Sequence, residues 1–291
     1  MGDNISGSDA SDVEVPGSEA SGETVAAAPE GTLREVVKRN AFAELMSPKT
    51  KQQKLTAPSK ATTLTKTKGS RFGMRDGLGA YLKHPESYPP STVVYYNDDF
   101  VAIYDLYPKS SLHLLLLPRD SSKFYMHPFD AFEDTEFLQK VQTEVKKLRK
   151  LAAGELRRIY GKFSEQEKAR REVMEQEEPS ADLPPGRDWE KEIMTGIHAR
   201  PSMSHLHIHV MSVDRYSDRL KHRKHYNSFA TPFFVNIDDF PLARNDPRRH
   251  PGREAYLQRD FICWRCSRNF GNKFQQLKDH LAEEFEQWKR L

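Results

Sequence analysis

The chain has 291 residues, with 45 Lys and Arg against 42 Asp and Glu, two cysteines and only 37% hydrophobic residues. A length of this size accommodates one or two domains of ~100 to 200 residues, and the low apolar share predicts that part of the chain does not fold by itself. No apolar run approaches the ~18 to 20 residues that cross a bilayer, and the first residues lack the basic and apolar stretches of a signal peptide, which argues against membrane and secreted classes.

The net charge of +3 conceals an uneven distribution. Residues 1–30 carry seven acids and no Lys or Arg, whereas residues 31–71 carry ten basic residues against Glu35 and Glu44. Gly, Ser, Ala, Thr and Lys dominate up to residue 70, so 1–70 reads as a disordered arm. Within it, Val36, Val37, Phe42, Leu45 and Met46 recur at helical spacing. Residues 32–49 are therefore read either as a docking motif that folds on a partner or as a transient helix without one. The basic residues around them also suit a nuclear import signal or a loose nucleic-acid tether.

From Phe72 onward the pattern is that of a folded domain, assigned to 71–232. A short helix is expected around Asp76 to Lys83, then a hairpin of Val93 to Tyr96 and Phe100 to Asp105 across the polar turn Asn97-Asp98-Asp99. Leu112 to Leu117 forms a third strand. Phe137, Leu138, Val141, Val145, Leu148, Ala152, Leu156 and Ile159 return every three or four residues, which predicts an amphipathic helix packed on the sheet. Residues 162–188 are charged and then Pro-rich, and read as a helix extension ending in a loop or as a loop insertion. Two further strands, Glu192 to Ala199 and His205 to Met211, complete a meandering antiparallel sheet with helices on one side, an α+β fold.

The segment SHLHIHVMS carries the chemistry. Strand alternation sends Leu206, Ile208 and Val210 to one face and His205, His207 and His209 to the other, with neighbouring imidazoles ~6.5 to 7 Å apart. Three readings of such a row are open: buried structural histidines, a metal site of the His-x-His kind, and nucleophilic catalysis by a neutral imidazole. Near the end of the chain, Cys263-x-x-Cys266 is followed by His280 at finger-like spacing. With no second histidine in range, Glu284 stands one helical turn further on as the fourth ligand, with Glu283 as the less favoured alternative. Phe270, Phe274, Leu277, Leu281 and Phe285 are the expected core of this zinc module, assigned with a basic linker to 233–291. Residues 215–260 hold ten Lys and Arg against six acids, including Arg215, Arg219, Lys221, Arg223, Lys224, Arg248 and Arg249. Such density suits either a solvated face or a phosphate-tracking surface.

His205-Leu206-His207-Ile208-His209-Val210-Met211 matches the signature of the histidine-triad superfamily of nucleotide hydrolases and transferases. Asp105 to Pro118, with Asp105, Pro108 and His113 ahead of an apolar strand, resembles that superfamily's second conserved block. Gly196 to Ser204, Leu220 to Phe229 and the terminal finger resemble the aprataxin family of DNA deadenylases. The resemblance covers residues 72 to 291 and is to the shorter form without a forkhead-associated domain. It implies His207 as nucleophile toward the α-phosphorus of an adenylate, with a covalent AMP intermediate. By the same resemblance His209 orients His207, His205 and Ser202 line the phosphate, and His198 assists the leaving phosphate. Asp105 binds the ribose and Lys109 the substrate phosphates or the pocket wall, while His113 supplies a structural hydrogen bond. Lys221, Lys224 and His225 meet DNA, and Phe72 or Met74 is a candidate base-stacking wedge. Zinc is implied only in the finger, as a structural ion, with none needed for the chemistry. The expected activity is removal of AMP from 5′-adenylated nicks or ends left by abortive ligation, in the nucleus, with the cytoplasm as the other compartment that free thiols suit. Two rival functions stand beside it: a small-molecule dinucleoside polyphosphate or phosphoramidate hydrolase, and a non-catalytic nucleic-acid-binding adaptor.

Overall fold

The computed structural model describes residues 75–178 and 182–291. The arm, its helical island at 32–49 and the wedge candidates Phe72 and Met74 lie outside the described residues.

After a short helix α1 (Gly79–Lys83) the chain runs through β1 (Val93–Tyr96), β2 (Phe100–Tyr104) and β3 (His113–Pro118). The hairpin turns where expected because the Asn97 side-chain oxygen accepts from the amides of Asp99 at 3.0 Å and Phe100 at 2.7 Å. A side chain that closes its own turn in this way fixes the register of the strands it joins. Next come α2 (Pro128–Ala131) and the long α3 (Thr135–Tyr160), capped by Asp134, whose carboxylate accepts from the amides of Glu136 and Phe137. The remaining elements are α4 (Lys168–Met174), β4 (Ile193–His198), β5 (Ile208–Ser212), α5 (Arg223–Ala230), β6 (Phe234–Asn236) and α6 (Phe274–Trp288).

All pairings are antiparallel, in the order β1-β2-β3-β5-β4-β6. The fold is α+β, but the expected meander is broken: β5 inserts between β3 and β4, so the histidine strand lies at the centre of the sheet. Val141, Val145, Leu148 and Leu156 of α3 pack on the face formed by Ala102, Leu114, Leu116, Ile208 and Val210. Each such aliphatic side chain contributes ~1.5 to 3 kcal/mol on burial. The other face carries Val101, Ile103, Leu115 and Leu117 and is covered near one edge by α1 through Leu78, Tyr81 and Leu82. Helices therefore lie on both faces, not one. His209 pairs with Leu115 and so belongs to the α1 side, away from α3.

Of the two readings of residues 162–188, the described part is nearer to a helix extension ending in a loop than to a loop insertion. A 3-10 turn (Gly161–Phe163) and α4 occupy the first half, and Glu167 is buried. Its carboxylate accepts from Arg157 Nε at 3.0 Å, from the Arg187 amide at 3.2 Å and from Trp189 Nε1 at 2.7 Å. A polar hub of this kind leaves no apolar periodicity to read.

The terminal module is built around Phe261, Cys263, Phe270, Leu277 and Leu281, and it takes Leu220 and Tyr226 from the catalytic side into the same cluster. Phe285, expected in that core, turns instead to Tyr216, with which it stacks at 4.5 Å, and to Tyr160 and Trp288.

Candidate active site and metal centre

Only His209 of the three triad histidines lies within β5, which begins at Ile208. His205 and His207 precede it on the incoming chain, where the Leu206 amide donates to the Phe124 carbonyl at 2.7 Å and not to a strand neighbour. The alternation nevertheless holds: Leu206, Ile208 and Val210 join the core under α3, whereas the His205 ring meets Gly79 of α1 and His209 lies opposite Leu115. The imidazoles are closer than a regular strand would set them: the ring centres of His207 and His209 lie 4.9 Å apart, nearly perpendicular.

His207 Nδ1 lies 2.7 Å from the carbonyl oxygen of His205. A carbonyl only accepts, so Nδ1 must carry the proton, and the lone pair of a neutral ring then resides on Nε2. This corrects the expectation that His209 orients His207: the orienting group is the backbone of His205. His209 has another partner, with its Nδ1 2.9 Å from His113 Nε2. The Lys109 amide donates to His113 Nδ1 at 3.1 Å, which we assign as the acceptor nitrogen, placing the His113 proton on Nε2, where it donates to His209 Nδ1. His209 then carries its own proton on Nε2, a buried atom without a partner among the described residues. His198 Nε2 is likewise buried and unpartnered, and the rings of His198 and His209 are 4.5 Å apart. Phe229 packs against His113, His198 and His209.

Burial holds all these imidazoles below their ordinary pKa. His113 is pushed down to about 4, with Asp105 opposing the shift. His198 and His209 lie well below 6.5, first through desolvation and then through their neighbours. His207 is lowered by burial, with the His205 carbonyl and Asp105 acting in the other direction. The pocket is therefore neutral at pH 7, the state a nucleophilic imidazole requires.

His205 is held from two sides. Its ring centre is 4.6 Å from that of Tyr125 and 5.4 Å from that of Phe124, while a Cβ on Gly79 would stand 2.7 Å from its Cε1 and Nε2. Gly79 and Tyr125 escaped the sequence reading because neither belongs to a motif. A glycine opening a helix, where propensity disfavours it, was the available signal.

Asp105 accepts from the Tyr107 amide at 2.7 Å through Oδ1, and its Oδ2 lies 3.4 Å from His113 Nδ1. Asp105, His113 and His209 bring candidate ligand atoms within 4.8 Å of one another. The nitrogens of His113 are both engaged in hydrogen bonds, however, which leaves neither free to ligate a metal. Lys109 is half-buried, its pKa lowered mainly by desolvation, and its ammonium donates to the Tyr107 carbonyl. Ser202 is exposed in the loop before the triad, where its carbonyl accepts from Arg75 Nε at 3.0 Å.

The basic stretch separates into two classes. Arg215 spends its guanidinium on the carbonyls of Val213 and Phe229. Arg223 donates to the Gln258 and Arg259 carbonyls, and Arg248 is paired with Asp246 and Asp239. Arg249 donates to the Leu242 and Ala243 carbonyls. These four brace the fold and are removed from the expected phosphate surface. Lys221 and Lys224 are exposed, and His225 Nδ1 is taken up by local backbone, 3.2 Å from the Lys221 amide and 3.1 Å from the Arg219 carbonyl.

In the terminal module the ligand atoms of Cys263, Cys266, His280 and Glu284 all lie within 4.8 Å of one another. His280 Nε2 is 3.1 Å from Cys266 Sγ and 3.2 Å from Glu284 Oε1. Two soft sulfurs, an imidazole and a carboxylate suit a tetrahedral zinc ion. Arg265 Nη1, 2.5 Å from Glu284 Oε2, holds the carboxylate in place. Glu283 is exposed and approaches only the far nitrogen of His280, at 3.9 Å.

The sequence matches the HIT domain over residues 86–216 and the C2HE / C2H2 / C2HC zinc-binding finger over residues 230–287. It is 39% identical to the aprataxin-like protein of Schizosaccharomyces pombe over 214 residues, 74% of this chain and 82% of that protein. With the aprataxin-like protein of Saccharomyces cerevisiae it shares 36% identity over 215 residues, 72% of this chain and 95% of the other. The fold is similar to the crystal structure of the aprataxin ortholog Hnt3 from Schizosaccharomyces pombe, with a TM-score of 0.59 at 34% identity, covering 76% of this chain and 97% of that one. Hnt3 in complex with DNA gives a TM-score of 0.58 at the same identity, covering 74% and 96%.

Proposed function

The chain belongs to the aprataxin family of histidine-triad proteins, and from that premise we propose that it removes AMP from 5′-adenylated DNA ends left by abortive ligation. The observation that carries the chemistry is the hydrogen bond from His207 Nδ1 to the His205 carbonyl. It leaves a lone pair on His207 Nε2, next to two imidazoles whose Nε2 atoms have no partner among the described residues.

In this mechanism His207 Nε2 attacks the α-phosphorus, the bond from that phosphorus to the bridging oxygen breaks, and the DNA departs with its 5′-phosphate. AMP stays on His207 as a phosphoramidate, with the His205 carbonyl stabilising the positive ring. The His209 Nε2 proton is a donor for a non-bridging oxygen. His198, neutral in the free protein, donates toward the leaving oxygen, and the negative charge of the substrate raises its pKa toward that task. Water then attacks phosphorus, the P–N bond breaks, and AMP leaves with His207 restored. Asp105 accepts from the ribose, Lys109 faces the phosphates, and Ser202 and His205 border them. Lys221 and Lys224, with His225, track the DNA backbone.

Cys263, Cys266, His280 and Glu284 hold a zinc ion whose contribution is to fold the module, and no step of the chemistry is routed through it. Action on DNA ends fits the nucleus as the compartment, with the cytoplasm as the alternative, and residues 32–49 are the segment proposed to recruit a repair partner.

The test uses a nicked duplex carrying a 5′-AMP cap. Wild-type protein is expected to release AMP and leave a 5′-phosphate, and His207→Asn to lose both turnover and the acid-labile AMP adduct. Preferential turnover of a free dinucleoside polyphosphate would favour the small-molecule hydrolase instead. DNA binding without an adduct would favour the adaptor.

A further inference from the structure

We propose that Arg200, His250 and Arg253 form a phosphodiester-binding subsite for the DNA strand that continues from the adenylated end. The proposal rests on the deadenylase reading and adds to it a contact outside the triad pocket and the Lys221–Lys224 surface. The three side chains line a cleft of about 330 Å³ with Pro251 and Gly252, and no carboxylate takes part. It is a shallow hollow open to solvent, a shape along which a sugar-phosphate backbone can lie.

The contrast with neighbouring arginines singles the cleft out. Arg248, Arg249 and Arg259 are each paired with a carboxylate, those of Asp246 and Asp239, of Glu133 and of Glu254. Arg200 and Arg253 make no ion pair or side-chain hydrogen bond among the described residues, and both are exposed. Two unengaged guanidinium groups that line one hollow offer an anion two planar forks, which suit phosphate oxygens. The loop that carries His250 and Arg253 is closed by the Arg253 amide donating to the His250 carbonyl at 3.0 Å. Gly252 has nothing within 4 Å of where a Cβ would sit, which leaves room for a backbone phosphate to approach. Arg200 stands two residues beyond His198, at the start of the loop that leads through Ser202 to the triad. Because Arg200 lies on the segment that joins His198 to the triad, a strand with its end in the triad pocket is the anion assigned to the cleft.

The experiment compares wild type with Arg253→Gln and with Arg200→Gln/Arg253→Gln on an adenylated nicked duplex across a salt series. Loss of two phosphate contacts predicts that the slope of log affinity against log salt becomes shallower by ~1.8, with a fall in affinity of about tenfold or more at low salt. Turnover of a dinucleoside polyphosphate, which does not reach the cleft, is expected to stay within twofold. An unchanged slope and affinity, with wild type fully active on adenylated DNA, would overturn the subsite and leave the deadenylase intact. Failure of wild type itself on adenylated DNA would overturn the deadenylase reading, and the slope for unadenylated duplex would then decide the cleft separately. A slope change seen with poly-glutamate or inorganic phosphate as the competing anion, but not with DNA, would assign the cleft to another ligand and also overturn the proposal.

Discussion

The position of one proton organises the pocket. Nothing in the side-chain pattern specifies that the His205 backbone fixes the tautomer of His207, because a carbonyl is common to every residue. What was legible was the alternation that buried the triad on one face and the resemblance that named the nucleophile. The clamp around His205 was not, since it depends on Gly79 arriving from α1 and Tyr125 from the loop after β3. Gly79→Ala supplies the test. An added methyl 2.7 Å from two ring atoms forces the His205 ring or α1 to move, and Phe124 and Tyr125 block the ring's retreat. Movement transmitted to the His205 carbonyl weakens the bond to His207 Nδ1 and lets the wrong tautomer populate. A misplacement of this order is expected to lower the rate of AMP-adduct formation by about 10- to 100-fold, with KM changed far less. An adduct rate within twofold of wild type, in a variant with native thermal stability, would show that the clamp does not position His207.

At the scale of elements, β2 and β3 were readable as short continuous apolar runs, since both of their faces are buried, and α3 by the 3.6-residue period of its single buried face. The segment at 162–188 was not, because polar groups tie it down. Arg187, 2% exposed, lies between the indoles of Trp189 at 4.4 Å and Trp288 at 4.9 Å. It pairs with Glu192 at 2.9 Å and donates to the Trp288 carbonyl at 2.7 Å. Since Trp288 ends α6, this cluster clasps the zinc module to the catalytic sheet. Arg187→Ala removes a buried cation and leaves the partly exposed Glu192 with only the Trp288 indole as a donor, and it is expected to cost ~1.5 to 3 kcal/mol, measured by chemical denaturation; a loss under 1 kcal/mol would make the clasp incidental. The finger poses a sharper question of ligand choice. Glu284→Ala is expected to weaken zinc about 10- to 100-fold in competition with a chromophoric chelator, with Glu283→Ala indistinguishable from wild type. The reverse ranking would transfer the fourth ligand to Glu283.

Across the whole molecule, the net charge of +3 says less than its placement. Several arginines that count toward a basic face are consumed in bracing the chain, and sequence cannot separate an arginine that faces solvent from one that caps carbonyls. Protonation is the other global property, and it follows from how many imidazoles the fold buries neutral. His113 falls from 6.5 to about 4 on folding, and His198, His207 and His209 shift in the same direction, all through desolvation. Between these values the unfolded chain binds more protons than the native one, so stability must rise with pH there. It is fully present above about pH 6.5 and is lost progressively as pH falls toward about 4. His113 alone contributes a slope of about 1.4 kcal/mol per pH unit over most of that window, and the other three steepen it. Asp214, whose carboxyl is raised by burial, acts in the opposite sense, but its effect begins only as carboxylates titrate. Against a total stability of ~5 to 15 kcal/mol these slopes are large. The thermal midpoint is therefore expected to drop by roughly 10 °C between pH 7.5 and pH 5.5. His113→Asn, which removes one titrating ring from the pocket, is expected to flatten that dependence. A midpoint that stays level to pH 5.5 in wild type would mean that the histidines take up protons in the folded protein as readily as in the unfolded chain, and burial as the force that holds the imidazoles neutral would have to be abandoned.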